Sequence, residues 1–149
     1  MYELVLYAHI VSAVVWVGGA IYVQLLAIRV SRLDPAEMPR LARHFEAIGL
    51  RVFAPAAGLL LVTGAVMTVQ AWSFGQLWIA VSIGLWVLSA VAGAAYLAPR
   101  SKQAAQLFEA EGPASSAGWR LTGRMFLVSR LELVSFALIV ALMVFKPGA

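Results

Sequence analysis

Cysteine is absent from the 149 residues, which removes disulfides, thiolate nucleophiles, iron–sulfur clusters and cysteine-type zinc sites together. Charge is scarce. Asp, Glu, Lys and Arg make up 12% of the chain, against about a quarter of a soluble domain. The formal charge of +4 comes almost wholly from arginine. No Lys/Arg run interleaves with aromatics, so nucleic acid is not an expected partner. There is no P-loop, no HExxH and no nucleophile–base–orienter set, so hydrolase and nucleotide chemistry has no footing. Histidine occurs only as His9 and His44.

What the chain has instead is hydrocarbon. It is 62% hydrophobic with a mean hydropathy of +0.89, too apolar to clothe a water-facing surface. Four segments, at 4–28, 52–71, 77–98 and 121–145, approach the ~20 residues that cross a ~30 Å hydrocarbon core. In lipid the backbone must satisfy its own hydrogen bonds, so such segments are helices. The first has no basic region before it and is too long for a leader's apolar core, which reads as a retained span. The expectation is a single all-α domain over 1–149, a four-transmembrane-helix bundle. Between the first two spans, Asp34, Pro35 and Glu37 resemble a helix start, and Leu41, Phe45 and Ile48 recur at helical spacing. A short amphipathic helix on the membrane surface is expected there. QAWSFGQ (70–76) reads as a tight turn, and residues 99–120 as a longer polar loop opening with a short extension of the third span.

Arginine sets the orientation. Arg29, Arg32, Arg40, Arg43 and Arg51 lie in the first loop, and Arg100, Lys102, Arg120 and Arg124 in the third. The second loop and the N-terminus have none, and the C-terminus has Lys146 alone. The positive-inside rule places loops 1 and 3 in the cytoplasm of a bacterial inner membrane and both termini outside.

Ionisable groups within the spans are costly and face the bundle interior or water. His9 shares a helix face with Ser12, Ala13, Trp16 and Ala20. Ser82 lies at a similar depth on the third span and begins a stripe through Ser89, Gly93 and Tyr96. Glu132 shares the fourth span's stripe with Ser129, Phe136, Ile139 and Met143, while Arg130 is near enough to the cytoplasm to snorkel. Uniform helical geometry puts Met67 about 160° from Arg51, so an inward Arg51 turns Met67 out and favours Met143 as a sulfur ligand. Two polar levels are expected: His9, Ser82 and Met143 towards the outside, and Arg51, Tyr96 and Glu132 towards the inside. An Arg51–Glu132 pair reads as a structural clasp or, alternatively, a proton relay.

These residues, in this order, resemble the HemJ-type protoporphyrinogen oxidases and the broader copper-resistance-D-like group of four-helix membrane proteins. The matching pieces are H-I-x5-W-x2-G-x2-Y (His9, Ile10, Trp16, Gly19, Tyr22), R-x3-P-x2-G-x5-G (Arg51, Pro55, Gly58, Gly64), Trp78, and E-x12-F-K (Glu132, Phe145, Lys146). In overall shape the chain is similar to an uncharacterised bacterial integral-membrane family of that group, which also ends in Lys-Pro, here Lys146-Pro147. The resemblance implies haem b with His9 as axial ligand and Trp16, Ser82, Arg51 and Glu132 around it. It also implies an oxidoreductase activity with a porphyrin or redox partner. Those oxidases carry a lysine early in the third span, where this chain has Ser82. The copper-handling relatives imply copper instead, held by His9 and Met143 as soft ligands.

Plainer readings stand beside these. His9 can be a structural histidine bonded to a neighbouring helix's carbonyl or hydroxyl, and Met143 ordinary core. His44 reads as part of a solvated face, and Trp72, Trp78 and Trp119 as interfacial anchors. The third alternative is a subunit without cofactor that packs against a partner; a homodimer would lend four short helices a second wall.

Overall fold

A computed structural model describes residues 1–148 as four long helices joined by tight turns. We number them α1 (Tyr2–Leu33), α2 (Pro35–Ala71), α3 (Leu77–Glu111) and α4 (Ser116–Phe145). All four are long and apolar enough to cross a membrane. At ~1.5 Å per residue, even the shortest exceeds a ~30 Å core, so the bundle projects beyond it.

The breaks between helices follow local chemistry. Asp34 leaves the helical region at φ −149°, and Pro35 then opens α2 where its missing N–H costs nothing. Trp72 turns extended, and Ser73 Oγ accepts from Gly75 N at 3.2 Å inside the turn to α3. Gly112 takes φ +81°, open to glycine without strain. Ser115 then caps α4, its Oγ accepting from Gly118 N at 3.1 Å and donating to Glu111 Oε2 at 2.6 Å.

Two expectations change here. The polar stretch 99–120 is mostly helix: α3 runs on to Glu111 and only 112–115 turn. The amphipathic segment Met38–Ile48 is helical as its pattern required, but it continues without a break into α2. It packs along Ala98–Glu111 of α3 instead of resting alone on the bilayer. Met38, Leu41, Ala27, Ala104 and Phe108 form a core there, with Phe108 edge-on to Trp119 at 5.4 Å. Ser101 Oγ donates to Ala42 O at 2.7 Å, and Arg43 bridges Glu109 at 2.7 Å. The apolar stripe read as a membrane-facing surface therefore meets a second helix.

Nearer the 72–76 turn the partners differ. Tyr2–Ala13 of α1 packs along Ala54–Ala71 of α2, and Leu77–Val91 of α3 along α4. A second core of Trp16, Ala57, Leu60 and Phe136 ties these two pairs together at mid-span, with Trp86 packed against it. Near the turn, Trp72 and Trp78 meet edge to face at 5.4 Å, and Lys146 Nζ sits 4.4 Å from the Trp72 ring.

Candidate functional site

His9 is buried on α1 and turned inward against α2. Its Nδ1 lies 3.0 Å from Thr63 Oγ1. The threonine hydroxyl has one proton, and its best acceptor is Leu59 O at 2.7 Å, with Leu60 O at 3.2 Å. Thr63 therefore accepts from His9 Nδ1–H, which leaves Nε2 with its lone pair. Gly64 permits this approach: a Cβ there would stand 3.1 Å from His9 Cε1. This matches the plainer reading of His9, with a hydroxyl 54 residues away as the partner.

Between the two cores the bundle leaves a partly open cavity of about 410 Å³ reached by all four helices. That is within the range of about 300–1,000 Å³ for small-molecule sites. Trp16, Trp86 and Phe136 form its aromatic end; Trp16 lies 4.6 Å from the Phe136 ring centroid and 6.3 Å from that of Trp86. Three helices contain a π-helical stretch, at Val14–Gly18, Gly49–Phe53 and Ala92–Leu97. Each stretch contributes lining residues. Such wide turns gather at functional sites because they displace side chains from regular register.

The cavity wall is apolar apart from a few groups whose bonding is incomplete. Gln24 and Ser89, only 5% and 3% exposed, line it. Gln24 Nε2, Ser89 Oγ and Trp86 Nε1 are buried with no hydrogen-bond partner. Other hydroxyls in these helices bond back to a carbonyl four residues earlier, as Ser12, Thr68 and Thr122 do at 2.7–2.9 Å. Ser89 does not. Half-buried Glu132 also lines the cavity and, among the described residues, forms no salt bridge. Its Oε1 stands 3.9 Å from the position a Cβ would take at Gly93. A polar group deprived of water costs free energy unless something bonds it, and these three atoms, sealed by their neighbours from water and cavity alike, carry that cost.

The expected site residues separate accordingly. Trp16 and Glu132 come to the cavity; His9, Ser82, Met143 and Arg51 do not line it. Arg51 is exposed and makes no ion pair with Glu132, correcting the expected clasp. It sits within the Gly49–Phe53 π stretch, where a uniform 100° per residue no longer holds, and a guanidinium at a span's edge gains more from water than from hydrocarbon. The condition that turned Met67 outward falls with it, and Met67 is half-buried. Ser82 is buried with its Oγ unbonded, and Met143 is half-buried and forms no hydrogen bond. Tyr96 is half-buried, with Arg100 5.7 Å from its ring. Gln24 and Trp86 also line the cavity and were not among the expected site residues; a lone glutamine in an apolar span was the signal available.

Haem b can be tested against these positions. His9 presents a suitable tautomer, with Nδ1 held by a second group as ligating histidines require. The flat space it would need lies elsewhere: the cavity ends at Trp16, His9 is not on its wall, and no imidazole is. Haem b on His9 does not fit this packing. For copper, no group of three His, Cys, Asp or Glu side chains able to hold a metal ion occurs among the described residues.

The model of a family described as predicted integral membrane protein (DUF2269) matches residues 3–147. No curated protein and no solved structure matches the chain.

Proposed function

The chain belongs to this DUF2269 family of integral membrane proteins, and we propose that it holds a small lipophilic molecule within the bilayer, between its four helices. One observation carries the reading: the four helices leave between them a cavity of about 410 Å³ whose largely apolar wall includes Glu132. A core that served packing alone would fill that volume. With Arg29 to Arg51 and Arg100 to Arg124 at one end, the positive-inside rule supports a bacterial cytoplasmic membrane with that end in the cytoplasm. The inward turn of His9 and Trp16 supports keeping the kinship with the copper-resistance-D-like group as part of this proposal.

The test is occupancy. Protein purified in mild detergent, extracted and analysed by mass spectrometry is expected to release a stoichiometric lipophilic compound, and adding it back should raise the melting temperature. Gly93→Leu should abolish both effects, since a branched side chain at Gly93 fills the space before Glu132. An unchanged extract from that variant would refute the reading.

A further inference from the structure

One ionisable side chain reaches the cavity. Its lining residues include no Lys, Arg, His or Asp, and Glu132 stands alone among them. Glu132 Oε1 is 3.9 Å from the position a Cβ would take at Gly93, itself a lining residue. The carboxyl therefore lies over bare backbone of α3. Among the described residues it has no salt bridge and no hydrogen-bond partner, yet neither of its oxygens is sealed in the way that Gln24 Nε2, Trp86 Nε1 and Ser89 Oγ are. It stays accessible.

The cavity is also open on one side. Leu50, Ala54 and Gly58 recur at i, i+4 and i+8 on α2; all line the cavity and all are exposed. Ala94 does the same from α3, whereas every lining residue of α1 and α4 is buried or half-buried. Ala54–Ala71 packs on α1 and Leu77–Val91 on α4, so α2 and α3 part between the 72–76 turn and the pairing of Met38–Ile48 with Ala98–Glu111. The opening is lateral and faces the acyl chains.

We propose that the cavity takes a lipophilic cation, an ammonium group on an apolar body, which enters between α2 and α3 and pairs with Glu132. This rests on the cavity reading above and names the class of guest. The charge follows from the wall. A lone carboxyl among apolar side chains is short of water and of partners. A plain hydrocarbon guest leaves it so, and an anionic guest meets no positive group. A cation supplies the missing partner. The aromatic end favours the same sign. Phe136 is one turn from Glu132 on α4, about 5–6 Å between Cβ atoms, and aromatic faces attract positive charge most strongly where water is excluded. The lateral entrance suits an amphiphile already dissolved in lipid. The proposal concerns binding, and no transport step is included.

The experiment compares two tritiated probes, decyltrimethylammonium and its neutral carbon isostere 2,2-dimethyldodecane, in zwitterionic nanodiscs with and without the purified protein. The quaternary nitrogen cannot lose its charge, so the probes differ in charge alone. Above the level of empty nanodiscs, the cation is expected to be retained about tenfold better, equivalent to about 1.4 kcal/mol. Glu132→Gln keeps the shape and removes the charge; it should bring the probes close to parity and leave the isostere unchanged. Gly93→Leu keeps the charge and fills the space before it, and should release both probes. Equal retention by the wild type, or a cation preference that survives in Glu132→Gln, would overturn the cation assignment and leave the cavity reading standing. Cation retention unchanged in Gly93→Leu would sink both. If neither probe is retained by protein that is helical by circular dichroism, while the compound extracted from cells rebinds, that compound's charge decides. A neutral or anionic compound overturns the assignment, and a cationic one upholds it. If nothing rebinds, both readings fail.

Discussion

Replacing Thr63 with valine tests how α1 and α2 recognise each other. The two side chains are nearly isosteric, so packing is kept and one hydroxyl is lost. That hydroxyl does two things: it donates to the α2 backbone at Leu59 O, 2.7 Å away, and accepts from His9 Nδ1 at 3.0 Å. The first loss is cheap, because a helical carbonyl keeps its own N–H partner. The second leaves a buried imidazole N–H bare, which costs about 1–3 kcal/mol in a protein interior. Interhelical hydrogen bonds in bilayers average nearer 0.6 kcal/mol and reach about 1.7, because the separated helices also find partners. The expected destabilisation for Thr63→Val is therefore about 1–1.5 kcal/mol. Thr63→Ser keeps the hydroxyl and loses one methyl, so it should fall well below that. Unfolding of the bundle by steric trapping in bicelles would measure both variants. Nitrogen-15 spectra of labelled histidine would read the tautomer directly, with the proton expected on Nδ1 in the wild type. A wild type with its proton on Nε2, or a valine variant no weaker than the serine one, would refute the assignment.

Three further outcomes are expected. Gly118→Ala puts a Cβ 2.8–3.0 Å from three ring atoms of Phe108, which is 2% exposed and boxed in by Trp119; thermal unfolding should show a loss of about 1–3 kcal/mol, whereas Gly58→Ala, with nothing within 4 Å, should be silent. Arg51→Ala should change stability by less than about 0.5 kcal/mol, as for an exposed side chain without an ion pair; a loss of 2 kcal/mol or more in the same measurement would restore the Glu132 clasp. Protein purified from cells supplied with haem precursor should be colourless, and a Soret band that disappears in His9→Ala would show that the bundle opens at His9 to admit a macrocycle.

The span pattern was legible because in lipid one constraint dominates. A stretch of about twenty apolar residues has no stable alternative to a helix, so each interior assignment survives whatever its neighbours do. The ends were less legible for the opposite reason. Once α3 leaves the hydrocarbon, whether Arg100 to Glu111 continues as helix depends on a partner, and that partner is Met38–Ile48. The amphipathic stripe of one segment was visible in the sequence; that it would meet the other, some sixty residues on, was not. Pairings of that kind carry no local signature.

Of the expected site residues, Trp16 and Glu132 reach the cavity, while His9, Arg51, Ser82 and Met143 do not. An arginine has a long stem and can escape to water from the edge of a span, as Arg51 does. The π stretch around it also shifts the register from which its direction was extrapolated. Ser89 and Trp86 have no such escape, since a short or rigid side chain at mid-span stays where the backbone puts it, bonded or not. In hydrocarbon the neutral polar groups are therefore the more faithful markers of an interior site, and the ionisable ones mark it only when, like Glu132, they lie too deep to snorkel. Ser82, buried on the same stripe of α3 as Ser89, carries an unpaired hydroxyl in the same way. If Ser82 is only packing, Ser82→Ala should be neutral or slightly stabilising, because it removes an unsatisfied hydroxyl. A measurable loss of stability would mean that the Ser82 hydroxyl has a partner in the folded bundle after all.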